Sequence, residues 1–405
     1  MPSLALELVN LLVRWIHVIA AIMWIGDSFL FMWMDSSLSA PTKPRDGAVS
    51  GELWMVHSGG FYEVVKRRFL APHEMPARLY WFKWQSYMTW ISGFFLLGLV
   101  YYAGGSLYLL DPGHGPSLAV AAAIGLGSLV AGWLIYDALW MSPLARRPAL
   151  AALVSFALLV LATVGLTRAL SGRAAFVHVG ALMGTIMAAN VWRRIIPAQD
   201  HMLAATRAGT AVDVSLGARA KLRSTHNHYM TLPVLFTMLS NHFPSAYGSR
   251  LSWLVLTLLI VLGAAVKYVM NFGPARRAWV TAAGLAALAG VAALTVRPSA
   301  PDAGAAAFAG RSPVTFADAN AIFQRRCVTC HSAHPTNPAF TAPPNGIVLE
   351  DPARIHALAP RILVRAVTTK TMPLGNLTGM TDDERQTLGA WIAQGAPVAV
   401  GATPR

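Results

Sequence analysis

Two cysteines and the histidine after them form the segment with the clearest chemical meaning. The segment Cys327-Val328-Thr329-Cys330-His331 has the C-x-x-C-H spacing. In this spacing two thiols form thioether bonds to one porphyrin, and the adjacent imidazole binds the iron. The 405-residue chain contains two cysteines, and both are in this segment. The pattern therefore predicts a covalently attached haem c and transfer of single electrons.

A haem that only carries electrons needs a second axial ligand. Met372 is the predicted ligand, because Pro373 follows it and fixes the backbone beside it. Met380 is the competing methionine, one residue before a predicted helix N-cap at Thr381.

Two other uses of a C-x-x-C pair remain open from the sequence. A thioredoxin-like redox pair is expected beside βαβ elements, whereas the flank from Phe316 to Arg326 reads as a helix. A zinc site needs further ligands in suitable spacing, and this part of the chain adds only His334 and His356. Haem c is the favoured interpretation.

The composition indicates a membrane protein. Hydrophobic residues make up 55% of the chain and charged residues 12%, against about 25% charged in a typical soluble domain. Runs of about 20 apolar residues can cross a bilayer. The eight candidate spans lie near 8–32, 84–104, 118–140, 149–169, 174–196, 229–243, 251–271 and 278–297, and the short sixth span can extend at its start.

These runs predict an all-α protein in two parts. Residues 1–297 form a polytopic membrane bundle of about eight transmembrane helices in contact with lipid. A linker rich in Pro, Ala and Gly follows at 298–311, and a small soluble cytochrome c domain occupies 312–405. No dinucleotide-binding G-x-G-x-x-G after a strand, P-loop or H-E-x-x-H motif is present.

The basic residues predict the orientation of the bundle. The net charge is +14, and the loops after spans 1, 3, 5 and 7, with the span ends beside them, hold at least sixteen Lys and Arg, so the positive-inside rule assigns these loops to the cytoplasm. The opposite side carries Arg168, Arg173 and Arg250. Haem c is attached outside the bacterial cytoplasm, so both arguments predict an inner-membrane protein with a periplasmic N-terminus and cytochrome domain. Topology then explains the basic charge, and no nucleic-acid partner is predicted.

Histidines within the predicted spans are candidate ligands of a second, non-covalent haem. Ionisable residues in a bilayer are costly and are often functional. His17 with His178 is the first pair considered for a haem b iron, with His242 as the substitute. Hydrogen bonds between helices are the equally weighted alternative.

A polar cluster lies at the predicted cytoplasmic face. It combines cations, amides and imidazoles that can hold a planar anion and remove its protons. A plain polar rim of the bundle is the alternative. The candidate residues are Lys83, Gln85, Arg223, His226, Asn227 and His228.

Four stretches and the haem motif together match one family. The stretches are Arg14–His17, Gly59–Val64, Lys83–Trp90 and Ser224–Pro233. With Cys327–His331, the chain resembles the bacterial membrane-bound urate oxidases (urate hydroxylases) with a C-terminal cytochrome c domain. The helix carrying His17 also resembles the haem-binding helix of membrane protoporphyrinogen oxidases.

The resemblance implies two-electron oxidation of urate to 5-hydroxyisourate. Electrons would pass to haem c and onward to a periplasmic or membrane acceptor, such as a terminal oxidase or a soluble cytochrome, and no hydrogen peroxide would form. His226 or His228 would take a proton, while Arg223, Lys83, Gln85 or Asn227 steadies the anion.

Other functions fit the residues without the resemblance. They are a membrane electron-transfer module that oxidises a quinol or a porphyrinogen, and a transporter-like bundle with a haem sensor. Reduction of the cytochrome by urate would separate the first function from all of these.

Overall fold

A computed structural model describes residues 4–43, 49–103, 106–110, 116–295, 313–338, 340 and 342–398. The described residues are 72% helical with few strands, so the predicted all-α membrane helix bundle is confirmed. The predicted linker at 298–311 lies outside the described residues.

The N-terminal part consists of eleven helices among the residues that the structure describes. They are α1 Leu4–Ser37, α2 Trp84–Leu97, α3 Ser106–Leu109, α4 Leu118–Met141, α5 Pro148–Ala169, α6 Gly172–Asn190, α7 Ile196–Ala208, α8 Val214–Leu239, α9 Pro244–Tyr247, α10 Ser252–Phe272 and α11 Ala278–Thr295. Short π-helical turns, Gly98–Tyr102 and Val191–Ile195, continue α2 and α6.

In the part of the chain that the structure describes, six helical segments are long and apolar enough to cross a membrane. They are Leu8–Ser37, Leu118–Met141, Pro148–Ala169, Gly172–Ala208, Ser252–Phe272 and Ala278–Thr295. The two remaining predicted spans fall on α2 and α8, which are helical but are not among these six. Helix α8 begins at Val214, 15 residues before the predicted start at 229. The first half of α8 is rich in polar residues, and the polar side chains near its middle, Arg223, Asn227 and His228, are buried inside the bundle, so hydropathy did not detect this part of the helix.

A β-hairpin that the sequence did not predict follows α1. Strands β1 Val49–His57 and β2 Gly60–Arg67 pair antiparallel. Ser58 and Gly59 both have positive φ, +50° and +75°, as a two-residue type I′ turn requires. Lys66 Nζ lies 2.5 Å from Asp35 Oδ1, and this ion pair fastens β2 to the end of α1.

Helix α6 is the centre of the bundle. Its residues Phe176, Val179 and Met183 are buried in one apolar core with residues of α4, α5 and α10. Gly180 permits close approach of α8, because a Cβ at this position would fall 2.0 Å from Thr237 Oγ1. Small residues commonly serve this purpose between membrane helices.

The C-terminal part is a second helical unit with its own core. Its helices are α12 Phe316–Arg326, α13 Pro352–Ile362 and α14 Asp382–Ala393, and a π-helical turn, Leu363–Thr368, continues α13. The predicted capping box, Thr381 with Glu384, is present at the start of α14 and is confirmed. Helices α12 and α14 pack together through the edge-to-face rings of Phe323 and Trp391, 5.8 Å apart.

The C-terminal unit lies against the end of the bundle that was predicted to face outward. A Cβ at Gly248, just after α9, would fall 2.7 Å from the Thr369 Cβ. A cleft of about 970 Å³ lies between the two parts, and Arg14 of α1 and Arg173 of α6 line it beside Arg365 of the C-terminal unit. The start of α1 and the C-terminal unit are therefore on the same side of the bundle.

Candidate functional site

The C-x-x-C-H segment lines a cavity in the C-terminal unit. Cys327 is the C-cap residue of α12, so the helix ends where the motif begins. Cys327, Cys330, His331 and Met372 all line this cavity of about 270 Å³. The Met380 side chain is instead 3% exposed within the apolar core, packed with the α12 and α14 residues.

A backbone carbonyl orients the His331 ring. Its Nδ1–H donates to the carbonyl of Ile347 at 3.0 Å, which leaves Nε2 for a metal. Burial lowers the pKa of His331, although the hydrogen bond to Ile347 opposes this effect. The ring is therefore neutral near pH 7, the form that ligates iron.

The cavity fits a haem better than it fits the other uses of two cysteines. Burial raises the pKa of Cys327 to about 12, whereas a reactive C-x-x-C thiol has a depressed pKa. Among the described residues, no group of three or more His, Cys, Asp or Glu is arranged to hold a metal ion. The apolar lining suits a flat macrocycle, and its members include Phe323, Pro344, Ile347, Leu349, Leu358, Ile362 and Leu374.

The structure does not bring His17 and His178 to a common iron. His17 Nδ1–H donates to the carbonyl of Thr89 at 3.0 Å. His178 Nδ1–H donates to the carbonyl of Ala174 at 2.8 Å, so its Nε2 accepts from the hydroxyl of Tyr102 at 2.6 Å. Thr89 and Tyr102 lie on one helical segment, roughly 20 Å apart along its axis.

The haem b ligands stay a prediction, and the contacts of the three histidines are as follows. Both ring nitrogens of His178 have partners, and a Cβ at Gly125 would fall 2.9 Å from its Nε2, so α4 approaches this ring closely. His242, the substitute, is exposed in the turn after α8 and lines the outer cleft. His17 and His178 each make a hydrogen bond to a neighbouring helix, as membrane histidines commonly do.

The predicted polar cluster of α8 is buried, and its first part faces α4 and α6. Arg223 Nη2 lies 2.9 Å from Asp137 Oδ1, and Arg194 also pairs with this carboxylate. Asn190 Nδ2 donates to Asn227 Oδ1 at 2.9 Å. One carboxylate therefore serves two guanidinium groups, which leaves one net positive charge at this site.

Tyr136 fixes the orientation of His226. The tyrosine hydroxyl accepts from Asn190 Nδ2 at 3.2 Å and lies 2.7 Å from His226 Nδ1. The Tyr136 hydroxyl can then donate its own proton to His226 Nδ1. The indole of Trp140 covers the imidazole with ring centroids 4.2 Å apart.

His228 faces a different set of helices. Its Nε2 lies 2.9 Å from Asn271 Nδ2 of α10, and its Nδ1 lies 3.4 Å from Ser28 Oγ of α1. Lys267, which is 2% exposed, lies over the ring of Phe29 at 3.3 Å. The cluster thus divides into two polar groups on opposite faces of α8.

Several buried polar atoms in this region have no hydrogen-bond partner within the described part of the chain. Buried polar groups are normally paired, so each exception marks a place for a ligand or water. The atoms are Asp27 Oδ2, Gln85 Oε1, Trp133 Nε1, Asn190 Oδ1 and Arg223 Nη1. Lys83, the other candidate from α2, lies over the ring of Trp81 at 5.7 Å.

The sequence analysis missed the partners of these candidates. Asp27, Asp137 and Lys267 are ionisable residues within long apolar helices, and that alone is a reason to suspect function. Tyr136 and Asn190 carry no such signal, since neutral polar residues are common where helices pack in membranes.

Comparisons with known proteins place the N-terminal part in a family. Searches of curated proteins and of solved structures gave no match. The profile described as urate oxidase N-terminal matches residues 3–296, which include the whole helical bundle and its buried polar cluster. The chain therefore belongs to the urate oxidase N-terminal family, a family related to urate oxidation.

Proposed function

We propose that the helical bundle oxidises urate to 5-hydroxyisourate, and that the C-terminal unit is a cytochrome c domain that receives the electrons. The overall reaction consumes urate and one water and releases two electrons and two protons. The observation that carries the proposal is a pair of buried polar atoms, Arg223 Nη1 and Asn190 Oδ1, that have no partner among the described residues and lie in one network of α4, α6 and α8, in a chain of this family.

The buried atoms match the functional groups of urate. Trp133 Nε1 and Arg223 Nη1 are donors suited to urate carbonyl oxygens and negative charge, whereas Asn190 Oδ1 is an acceptor suited to a ring N–H. On the α1 and α2 side, Gln85 Oε1 offers a second acceptor. Arg223 keeps its position through Asp137 while its second nitrogen remains available.

The protons of the reaction need acceptors near this group of atoms. His226 and His228 are the imidazoles of the cluster, and both are candidate general bases. Tyr136 connects His226 to Asn190 and Arg223, since its ring also lies 4.9 Å from the Arg223 guanidinium. A proton taken from urate can leave through such a network without opening the bundle to water.

The electron acceptor follows from the C-terminal cavity. Cys327 and Cys330 would hold haem c by thioether bonds, with His331 and Met372 as its axial ligands. When bound, this group supplies a one-electron acceptor in place of oxygen, so no hydrogen peroxide forms. A terminal oxidase or a soluble cytochrome would take the electrons onward.

The proposed location is the bacterial inner membrane, with the N-terminus and the cytochrome domain in the periplasm. Three observations support it. The helices fit a membrane protein, the Lys and Arg bias favours this orientation, and Arg14 and the C-terminal unit meet at one cleft.

Anaerobic reduction tests the function. Urate is added to the purified full-length protein under nitrogen, and the haem absorbance is followed, with xanthine as the matched purine control. We expect reduction by urate, two haem equivalents per urate consumed, and none with xanthine. Unchanged spectra with urate, or reduction by a quinol alone, would contradict the proposal.

A further inference from the structure

The bundle contributes two residues to the wall of the C-terminal cavity. Tyr108 of α3 and Arg173 of α6 line it together with Cys327, His331 and Met372. Arg173 is held in place by the bundle, since its Nε donates to Asn241 Oδ1 at 3.0 Å and its guanidinium lies 5.0 Å from the Tyr108 ring.

The cavity is lined by four arginines and, among the described residues, by no carboxylate. Arg326 is satisfied elsewhere, because it pairs with Glu384 at 3.0 Å. Arg173, Arg361 and Arg365 have no carboxylate within 4.0 Å in the described part of the chain.

These three guanidinium groups repel one another. Burial lowers the pKa of Arg365, and the positive charges of Arg361 and Arg173 act in the same direction, opposed by Tyr247. Unpaired cations close together in a partly buried site are costly unless an anion joins them. The arrangement therefore calls for a ligand with negative charge at the edge of an otherwise apolar cavity.

We propose that Arg173, Arg361 and Arg365 bind the propionate carboxylates of the haem c, so that a residue of the bundle forms part of the cytochrome site and docks the C-terminal unit. Arginine suits this task because its planar fork matches a carboxylate with two parallel hydrogen bonds. The inference rests on the haem c of the proposed function.

The positive charge of Arg173 has a consequence for the redox potential. Reduction adds one negative charge to the haem, and a nearby cation stabilises that state. Removing the cation therefore lowers the midpoint potential. It also removes a bond that spans the two parts of the chain, so the segments that meet at Gly248 and Thr369 become less protected.

The test compares R173Q and R173K with R250Q in the full-length protein. Arg250 is an exposed cation on the same face that lines only the outer cleft, so it controls for loss of charge. The haem midpoint potential is measured by titration with dithionite and ferricyanide. We expect a lower potential for R173Q, a smaller shift for R173K and no shift for R250Q.

Hydrogen exchange over 244–252 and 363–371 gives a second measurement, and we expect faster exchange in R173Q alone. If R173Q fails to accumulate with haem, R365Q takes its place. An unchanged potential in R173Q would overturn the inference. If the potential is unchanged and only the KM for urate rises, the arginines bind a free anion and not the haem. The titration uses no urate, so its outcome is independent of the proposed oxidation.

Discussion

At the residue scale, unpaired buried atoms distinguish a ligand site from an ordinary helix contact. His178 and His17 looked functional from the sequence, yet the structure gives both rings helix–helix partners. Gln85 and Asn190 carry buried oxygens that the surrounding residues leave unpaired. The cost of burying such an atom is about 1–3 kcal/mol, so a compensating ligand or water is expected.

Replacing Gln85 with leucine tests this argument. The substitution keeps a similar volume and removes a desolvated amide, so we expect the melting temperature to stay equal or to rise. If Gln85 contacts urate, the KM for urate should rise about tenfold, which corresponds to one lost hydrogen bond of roughly 1.4 kcal/mol.

Met88→Leu, on the exposed side of the same helix, is the control and should change neither quantity. A large loss of thermal stability in Gln85→Leu would show that the side chain is structural.

The two methionines of the C-terminal unit make a second residue-scale prediction. Met372 lines the cavity, whereas Met380 is packed in the core. Met372→Ala should keep the covalent haem but lower its midpoint potential, because a thioether ligand raises it. Met380→Leu, a volume-conserving change, should leave the potential unchanged. Redox titration of both variants identifies the ligand. A lower potential in Met380→Leu with no change in Met372→Ala would make Met380 the ligand.

At the element scale, α8 shows what hydropathy can and cannot find. Hydropathy detects only its apolar end and predicts a short span at 229–243, whereas the helix runs from Val214 to Leu239. Its polar residues are buried against other polar residues, including Asp137, so they do not mark the end of the helix. The residues that pair with these polar side chains lie on α4 and α6, which are distant in the sequence. Periodicity along α8 alone could not predict them.

The elements of the C-terminal unit were easier to predict, because their signals are local. The capping box of α14 depends on Thr381 and Glu384 alone, and it is present in the structure. The hairpin β1–β2 was missed although Ser58 and Gly59 form its turn, since a single short hairpin in a helical protein is a weak signal against the surrounding apolar runs.

Glu384 also predicts how stability depends on pH. Burial raises its pKa, but the backbone N–H of Thr381 and the guanidinium of Arg326 outweigh this, and the pKa is lowered from 4.5. A lowered pKa contributes stability that is present above pH 4.5 and is lost as pH falls through the folded value.

Glu384→Gln should therefore flatten the loss of stability below pH 4.5, measured by denaturant unfolding followed at the haem band. Thr387→Val, a change in the same helix that removes no titrating group, should retain the wild-type slope. Parallel pH profiles for wild type and Glu384→Gln would show that this carboxylate does not stabilise the fold by its charge.

At the scale of the whole molecule, the buried polar cluster and the cavity of the C-terminal unit lie at different depths along the bundle. The buried polar cluster lies near the inner end, and roughly 18 Å of α8 separate His228 from Ser240 at the outer end. The cavity of the C-terminal unit meets that outer end through Tyr108 and Arg173. The sequence predicted both sites, but it could not predict that the bundle forms part of the second one, because this depends on how the two parts pack.

Because the two sites lie toward opposite ends of the bundle, the orientation of the chain in the membrane can be tested. Both native cysteines are in the C-x-x-C-H segment and would be bound in thioethers, so a new cysteine reports on its own position. Ala357→Cys, exposed on α13, and Ala211→Cys, exposed in the loop before α8, are matched changes on opposite sides of the bundle. We expect a membrane-impermeant thiol reagent to label only Ala357→Cys in intact cells.

Breaking the cells is the control for accessibility, since both variants should then be labelled equally. The expectation rests on two independent arguments, the Lys and Arg bias of the inner loops and the packing of the C-terminal unit against the opposite end. Labelling of Ala211→Cys in intact cells would place the polar cluster near the periplasm. In that case the cytochrome domain would face the cytoplasm, where haem c is not attached, and the proposed electron route would be wrong.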